Sequence, residues 1–425
     1  MLPLLLLAAT LQSAIHPEEA MRATNTPSLA VAVVKDDQVI YQQTFGAPAN
    51  ARFYLASAAK PMTALAAKLT LDIDAPLTTT LPALKLPTPL DPARMSVRDL
   101  LTHRLGFDND PVIWRTSYSG DWTDAQLFSL LEHDSVVTPR VFRYDNLGYI
   151  LTTYAIERAA GEPWPKVLRG RVLDPLGMHD TSDAPCIATK SAHTMNRGAG
   201  GLCTTIADMT RWLRVQMSDG TLDGKQLFPA TLMRETHAPQ IDLKKKFGRV
   251  DRYSYALGWY HGEYEHDLLM HHFGSYPGAW AHISWMPERH LGVVVLSSAD
   301  NPLADAVAFL AYDTLLGKPD AQKKFDADVQ MIRARQAKIA EQLATLSPAP
   351  VPKPAIGTYA NDAYGTMVVG QTTVTVGDRE SPLLAHGDHY FVQWLAGDEP
   401  EPISFAEQAI TWRDRSFARQ TNTSR

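Results

Sequence analysis

The chain has 425 residues, 45% of them hydrophobic and 20% charged, with a net charge of −6. That balance is ordinary for a folded globular protein, and the length suits two or three domains. No Lys/Arg block, acidic tail or polybasic patch interrupts it, so a nucleic-acid partner is not expected.

Met1 to Ala14 is almost wholly apolar and carries no charged side chain. It falls short of the roughly 20 residues that a bilayer-crossing helix needs, so no stable membrane span is expected. The length and the small pair Ser13-Ala14 fit a signal peptide over residues 1–14, although no Lys or Arg precedes Leu4. The expectation is an exported protein, periplasmic or secreted. The two cysteines, Cys186 and Cys203, either pair in an oxidising compartment or remain two partly buried thiols.

Along the chain, Ser28 to Gly46 predicts a hairpin, with two β-rich runs flanking Asp36-Asp37. The alanine-rich stretch Ser57 to Leu69 predicts a helix. Residues 70–100, dense in Pro and Asp, read as loops with short elements. Helical spacing returns at Asp124–Leu131 and Tyr149–Ala160. A helix ends at Pro175 and Gly177, and another spans Ile206–Met217 behind an N-cap at Thr204 or Thr205. Ala279–Met286 and Leu291–Ser297 predict a second hairpin, followed by a helix over Ala304–Leu316. Strands at both ends of residues 25–317, with helices between, predict one antiparallel sheet built from the two ends of that region.

Past Gly317 the composition shifts. Asp320–Leu346 reads as a charged helical connector, Ser347–Pro354 as a stiff proline-rich linker, and Ile356–Arg419 as a small β-domain. The expected division is a main domain over 15–317, a connector over 318–354, and a separate β-domain over 355–425 that the main domain does not need for its activity.

Three short patterns carry chemistry. In Ser57-Ala58-Ala59-Lys60, a helix starting at Ser57 puts the serine and lysine on one face. The positive field of a helix N-terminus favours an oxyanion at Ser57 and disfavours an ammonium at Lys60, which makes the lysine a candidate base. Tyr144-Asp145-Asn146 offers a phenol for proton transfer and an amide to bridge Lys60 and substrate. In His272-Phe273-Gly274-Ser275, Gly274 allows a substrate backbone to approach a strand edge. The N–H groups of Ser275 and Ser57 would then form an oxyanion hole.

In this order, Ser-x-x-Lys, Tyr-x-Asn and His-x-Gly resemble the motifs of the penicillin-recognising serine hydrolases. The likeness is to the branch of class C β-lactamases, D-alanyl-D-alanine carboxypeptidases, D-aminopeptidases and related esterases. Leu100-Leu101-Thr102-His103, Asp174-Pro175-Leu176-Gly177-Met178 and Ala199-Gly200-Gly201-Leu202 add to it, over about Pro27 to Leu316. The resemblance implies an α/β fold in which an antiparallel sheet is flanked by helices, with an all-α subdomain and the site between them. A small all-β C-terminal domain follows. It implies an acyl-enzyme on Ser57, Lys60 and Tyr144 as proton-transfer partners, and Asn146, His272, Gly274 and Ser275 binding substrate. Neither metal nor cofactor is needed, and the substrate is a small molecule or a peptide.

Two departures bear on substrate. His272 stands where β-lactamases carry lysine, and Phe273 where many members carry threonine, so a β-lactam carboxylate loses two of its usual partners. Ester and D-peptide substrates stay open. The region Pro111–Trp122 is expected to help shape the pocket. A metal hydrolase is disfavoured because His261, His266, His271, His272, His282 and His290 show no ligand spacing. The competing reading is a non-catalytic penicillin- or peptide-binding protein.

Overall fold

The computed structural model describes residues 2–106, 111, 114–119, 123–131, 140–187, 196–377, 379–395 and 397–420. The expected region Pro111–Trp122 therefore lies partly outside the described residues.

Eight antiparallel strands form the main sheet: β1 (Leu29–Lys35), β2 (Gln38–Phe45), β3 (Ile241–Phe247), β4 (Val250–Tyr255), β5 (Tyr260–Tyr264), β6 (Asp267–Tyr276), β7 (Ala279–Met286) and β8 (Leu291–Ser297). Their order is β2-β1-β8-β7-β6-β5-β4-β3. The two ends of the domain meet where β1 pairs with β8, Leu29 opposite Ser297 and Lys35 opposite Leu291. Asp36 and Asp37 both take positive φ, 50° and 62°, the geometry that closes a two-residue hairpin with the twist of its strands. Arg214 pins that turn through a fork of two bonds to the Asp37 carboxylate, at 2.9 and 3.0 Å.

β1 is buried on both faces, and its alternation divides the interior in two. Ala30, Ala32 and Val34 join a core with the helices Lys60–Lys68, Leu147–Ala160 and Ile206–Met217. Leu29, Val31 and Val33 join a second core with the helix Leu303–Leu315. Thr205 caps the helix Ile206–Met217 by accepting from the Asp208 N–H. The apolar leader forms a helix, Leu2–Ala14, whose Leu11 is buried in the second core while Leu5 and Leu6 are exposed.

The C-terminal third is less detached than its composition suggests. The helix Ala321–Ala344 buries Phe325, Val329 and Ile332 in the second core, a stripe recurring every three or four residues. The proline-rich stretch is part of the β-domain: Ser347 and Pro348 pair with Ala385 and Leu384, and Val351 and Ala355 are buried. Proline suits this place because it occupies an edge. The β-domain is a ten-stranded antiparallel sheet around Tyr359, Val374, Trp412 and Phe417. Trp114, from the main domain, is buried in that same core, with its ring 4.9 Å from Trp412 and 5.5 Å from Trp394.

Candidate active site

Ser57 sits in the 3₁₀ turn Ala56–Ala59 that leads into the helix Lys60–Lys68. The turn follows the short strand Phe53–Tyr54, which pairs with Cys203-Thr204. Ala56 takes a φ of +44°, a conformation that costs a non-glycine residue of order 1–3 kcal/mol. The bend it makes points Ser57 off the strand end instead of into the core. Cys186 and Cys203 form a disulfide beside this strand, which answers the pairing left open by the sequence.

Lys60 is fully buried, and its Nζ lies 2.9 Å from Ser57 Oγ, 2.8 Å from Asn146 Oδ1 and 2.8 Å from the Ala199 carbonyl oxygen. Burial drives its pKa well below the ordinary value, opposed by the nearby charge of Asp145. A neutral amine has two N–H donors and one lone pair. Asn146 Oδ1 and the Ala199 carbonyl accept only, so they take the two N–H groups and leave the lone pair for the Ser57 hydroxyl. The three contacts thus fit an amine that accepts the serine proton.

Tyr144 shares a hydrogen bond with Ser57, and its ring centroid is 4.9 Å from Lys60 Nζ. Burial first, then the neighbouring Tyr260, raises its pKa well above the usual phenol value. The sequence reading looked for positive neighbours that would hold Tyr144 near ionisation. Here the phenol keeps its proton and can donate it.

His272 and Gly274 lie on β6 facing this group. His272 is fully buried, and burial, followed by the charge of Lys60, puts its pKa well below 6.5. Its Nδ1 donates to the Phe273 carbonyl oxygen at 2.7 Å, leaving Nε2 to accept from the Tyr255 hydroxyl at 3.3 Å. A side chain at Gly274 would put its Cβ 2.0 Å from the Leu55 oxygen and 3.0 Å from the Ser57 nitrogen. Only glycine permits the strand to touch the turn that holds Ser57.

Ser275 follows, exposed, with its hydroxyl donating to Asp300 Oδ1 at 2.9 Å. Tyr276 pairs with Ala279 across the two-residue turn Pro277-Gly278. By the alternation of antiparallel pairing, the N–H of Ser275 therefore points away from β7. The neighbour on that side, β5, ends its pairing at His271 opposite Tyr260. The Ser275 N–H therefore faces an open edge next to Ser57.

All seven residues expected from the sequence converge here: Ser57, Lys60, Tyr144, Asn146, His272, Gly274 and Ser275. The sequence reading did not anticipate the surroundings. Tyr149, Tyr255 and Tyr260 wall in Lys60 and His272, and Arg252 is buried between the rings of Phe247 and Tyr260 at 4.0 and 3.8 Å. His103 and Asp145 complete the floor, where the Asp145 N–H donates to His103 Nδ1 at 3.1 Å. Three of the other histidines have structural partners. His261 bonds Ser254, His271 accepts from Arg252, and His282 bonds Asp305. No helix among the described residues is long and apolar enough to cross a membrane.

The chain is 22% identical to an unguisins hydrolase of Aspergillus violaceofuscus, over 82% of this chain and 74% of that one. Its fold is similar to that of the octameric penicillin-binding protein homologue from Pyrococcus abyssi, with a TM-score of 0.62 at 20% identity, covering 96% of this chain and 94% of that one. The D-amino acid amidase of Ochrobactrum anthropi superposes with a TM-score of 0.58 at 18% identity, over 75% of this chain and 98% of the amidase. The family model for beta-lactamase matches residues 16–318, a span that holds the whole Ser57 cluster and stops short of the β-domain. On that match, the chain belongs to the beta-lactamase family.

Proposed function

We propose that the protein is a serine hydrolase that cleaves ester or amide bonds through an acyl-enzyme on Ser57. The observation that carries this reading is the buried Lys60 Nζ, held by Asn146 Oδ1 and the Ala199 carbonyl oxygen and lying 2.9 Å from Ser57 Oγ. In the first step Lys60 takes the Ser57 proton as Oγ attacks the acyl carbon. The oxyanion is held by the N–H groups of Ser57 and Ser275. Tyr144, protonated and bonded to Ser57, delivers a proton to the leaving group, and the Lys60 ammonium restores it. Water then attacks the ester by the reverse of the same transfers. A Lys60–Tyr144 relay of this kind is superfluous in a protein that only binds.

For the acyl group, the reading favours substrates without an obligatory carboxylate. A lysine in place of His272 would be charged at neutral pH, whereas the buried imidazole is neutral, and Phe273 offers no hydroxyl. The likeness to the D-amino acid amidase supports a D-amino amide or peptide beside simple esters. The disulfide supports an oxidising compartment, and with it export after cleavage of the leader near Ala14. N-terminal sequencing of the secreted chain tests that.

The deciding experiment sets a p-nitrophenyl ester, a D-amino acid amide and nitrocefin side by side, and maps a fluorophosphonate adduct by mass spectrometry. Turnover with the adduct on Ser57 supports the proposal. Stoichiometric labelling without turnover would move the protein to the binders.

A further inference from the structure

An arginine of the β-domain reaches toward the candidate site. Arg379 begins the strand Arg379–Pro382, and its Nε donates to the Tyr118 carbonyl oxygen at 2.8 Å. One of its terminal nitrogens lies 3.4 Å from the Tyr276 hydroxyl, which itself donates to the Ser117 carbonyl oxygen at 2.5 Å. The rings of Tyr118 and Tyr276 stack, with centroids 5.6 Å apart and planes 17° from parallel. Tyr276 also lies 5.1 Å from the ring of Tyr54. Ser117 donates to Asn196, and Asn196 donates to the Tyr54 hydroxyl, closing a buried ring of contacts.

The segment Trp114–Ser119 is therefore fixed at both ends by the β-domain. Trp114 is inserted between Trp394 and Trp412, and Tyr118 is held by Arg379. What the segment presses on is Tyr276, the residue after Ser275, and Ala56, the residue before Ser57, which pack together in one small cluster. Those are the two backbone positions that flank the proposed oxyanion hole. Past His271 the strand is paired with β7 on one side and rests on the Ser57 turn at Gly274, so side-chain contacts at Tyr276 help to set where the Ser275 N–H points.

We propose that Arg379 is a positioning residue for hydrolysis: it clamps Tyr118 and Tyr276 so that the N–H of Ser275 stays aimed at the acyl oxygen. The inference rests on the serine-hydrolase reading. A guanidinium is suited to the task because its fixed fork reaches two oxygens at once, which an ammonium does with less constraint. It also assigns the β-domain a part in the chemical step.

The test uses the full-length protein, with kcat and KM for a p-nitrophenyl ester measured beside fluorophosphonate labelling of Ser57. Arg379→Ala should lower kcat by about tenfold with KM little changed, a fraction of the loss seen when an oxyanion donor is removed outright. Arg379→Lys should recover part of it. Tyr276→Phe, which deletes only a hydroxyl, should lose a similar factor, and the double variant should lose no more than either single one. It also carries the test if Arg379→Ala fails to fold. Rates within about twofold of the parent for the folded variants, or fully additive losses, overturn the inference. A parent protein that does not label at Ser57 brings down the hydrolase reading itself, a result separate from unaltered rates in a protein that labels.

Discussion

Asp145 lies buried beside Lys60, and its charge is what opposes the fall in the lysine's pKa. The carboxylate is fixed by the Gly148 N–H, which donates to Oδ1 at 2.6 Å, a bond that an asparagine can keep. Replacing Asp145 by Asn removes the favourable field and lowers the Lys60 pKa further. A base must be unprotonated to act, so activity rises as pH climbs through that pKa. The acid limb of the kcat/KM profile should therefore move to lower pH in Asp145→Asn. A limb that stays put, or moves up, would dissociate Lys60 from that titration.

Ser57→Ala should abolish turnover while circular dichroism stays unchanged. Lys60→Ala and Tyr144→Phe should each slow acylation by on the order of 10²- to 10⁴-fold, the range of general acid–base catalysis. Both belong to one proton relay, so the double variant should be scarcely worse than the worse single one. Rapid-mixing acylation rates distinguish this from independent contributions, which would multiply.

Trp114 couples the two domains mechanically. Truncation to alanine at this buried site, packed on Trp394 and Trp412, should cost about 3–5 kcal/mol of stability. It should lower the denaturant midpoint of the β-domain and the catalytic region together. The same packing revises the expectation that the β-domain is dispensable. A chain ending near Ser347 should show a lower melting temperature and exposed apolar surface by dye binding, together with lost activity. A truncated protein that melts like the parent and keeps its rate would restore the dispensable reading.

Replacing His272-Phe273 by Lys-Thr should narrow the gap between ester and nitrocefin hydrolysis by raising the nitrocefin rate. The native protein should prefer the ester in kcat/KM. Lysine enters a buried site beside the Lys60 amine and the Arg252 guanidinium, both of which act to depress protonation at His272. The gain is therefore expected to be larger at lower pH, where the new lysine is more fully charged. Efficient nitrocefin turnover by the native protein would count against the substrate reading.

The sequence displayed those features that local chemistry determines. Asp36-Asp37 marks its hairpin because two adjacent residues must take positive φ, and Ile206–Met217 shows its helix through spacing and a threonine cap. The candidate site residues were visible because a Ser57–Lys60 pair needs fixed spacing on one turn. Four strands escaped notice: in β3 to β6, runs such as Lys244-Lys245-Lys246 and His271-His272 break the apolar alternation. Those strands draw stability from buried arginine, histidine and tyrosine partners, which no local window displays. Ala56 gave no sign of its left-handed turn, since alanine has no preference for it. The Arg379 contact joins residues 261 positions apart and is equally silent in any local pattern.

The pairing of Leu29–Lys35 with Leu291–Ser297 has a consequence for how the molecule is made. The ribosome emits the first hairpin and the helix that follows Ser57 long before it emits the strand that closes over them. Until then an apolar strand, destined for burial on both faces, waits with one edge unpaired, the state most open to wrong partners. Completion of the sheet is thus a late, long-range event, and slow folding is the expected price of that topology. An N-terminal fragment stopping before Leu291 would hold Ser57, Lys60, Tyr144, His272 and Ser275 yet lack the strand that seats β1. The candidate site in this chain is therefore completed late in synthesis, after the residues proposed for its chemistry have already been made.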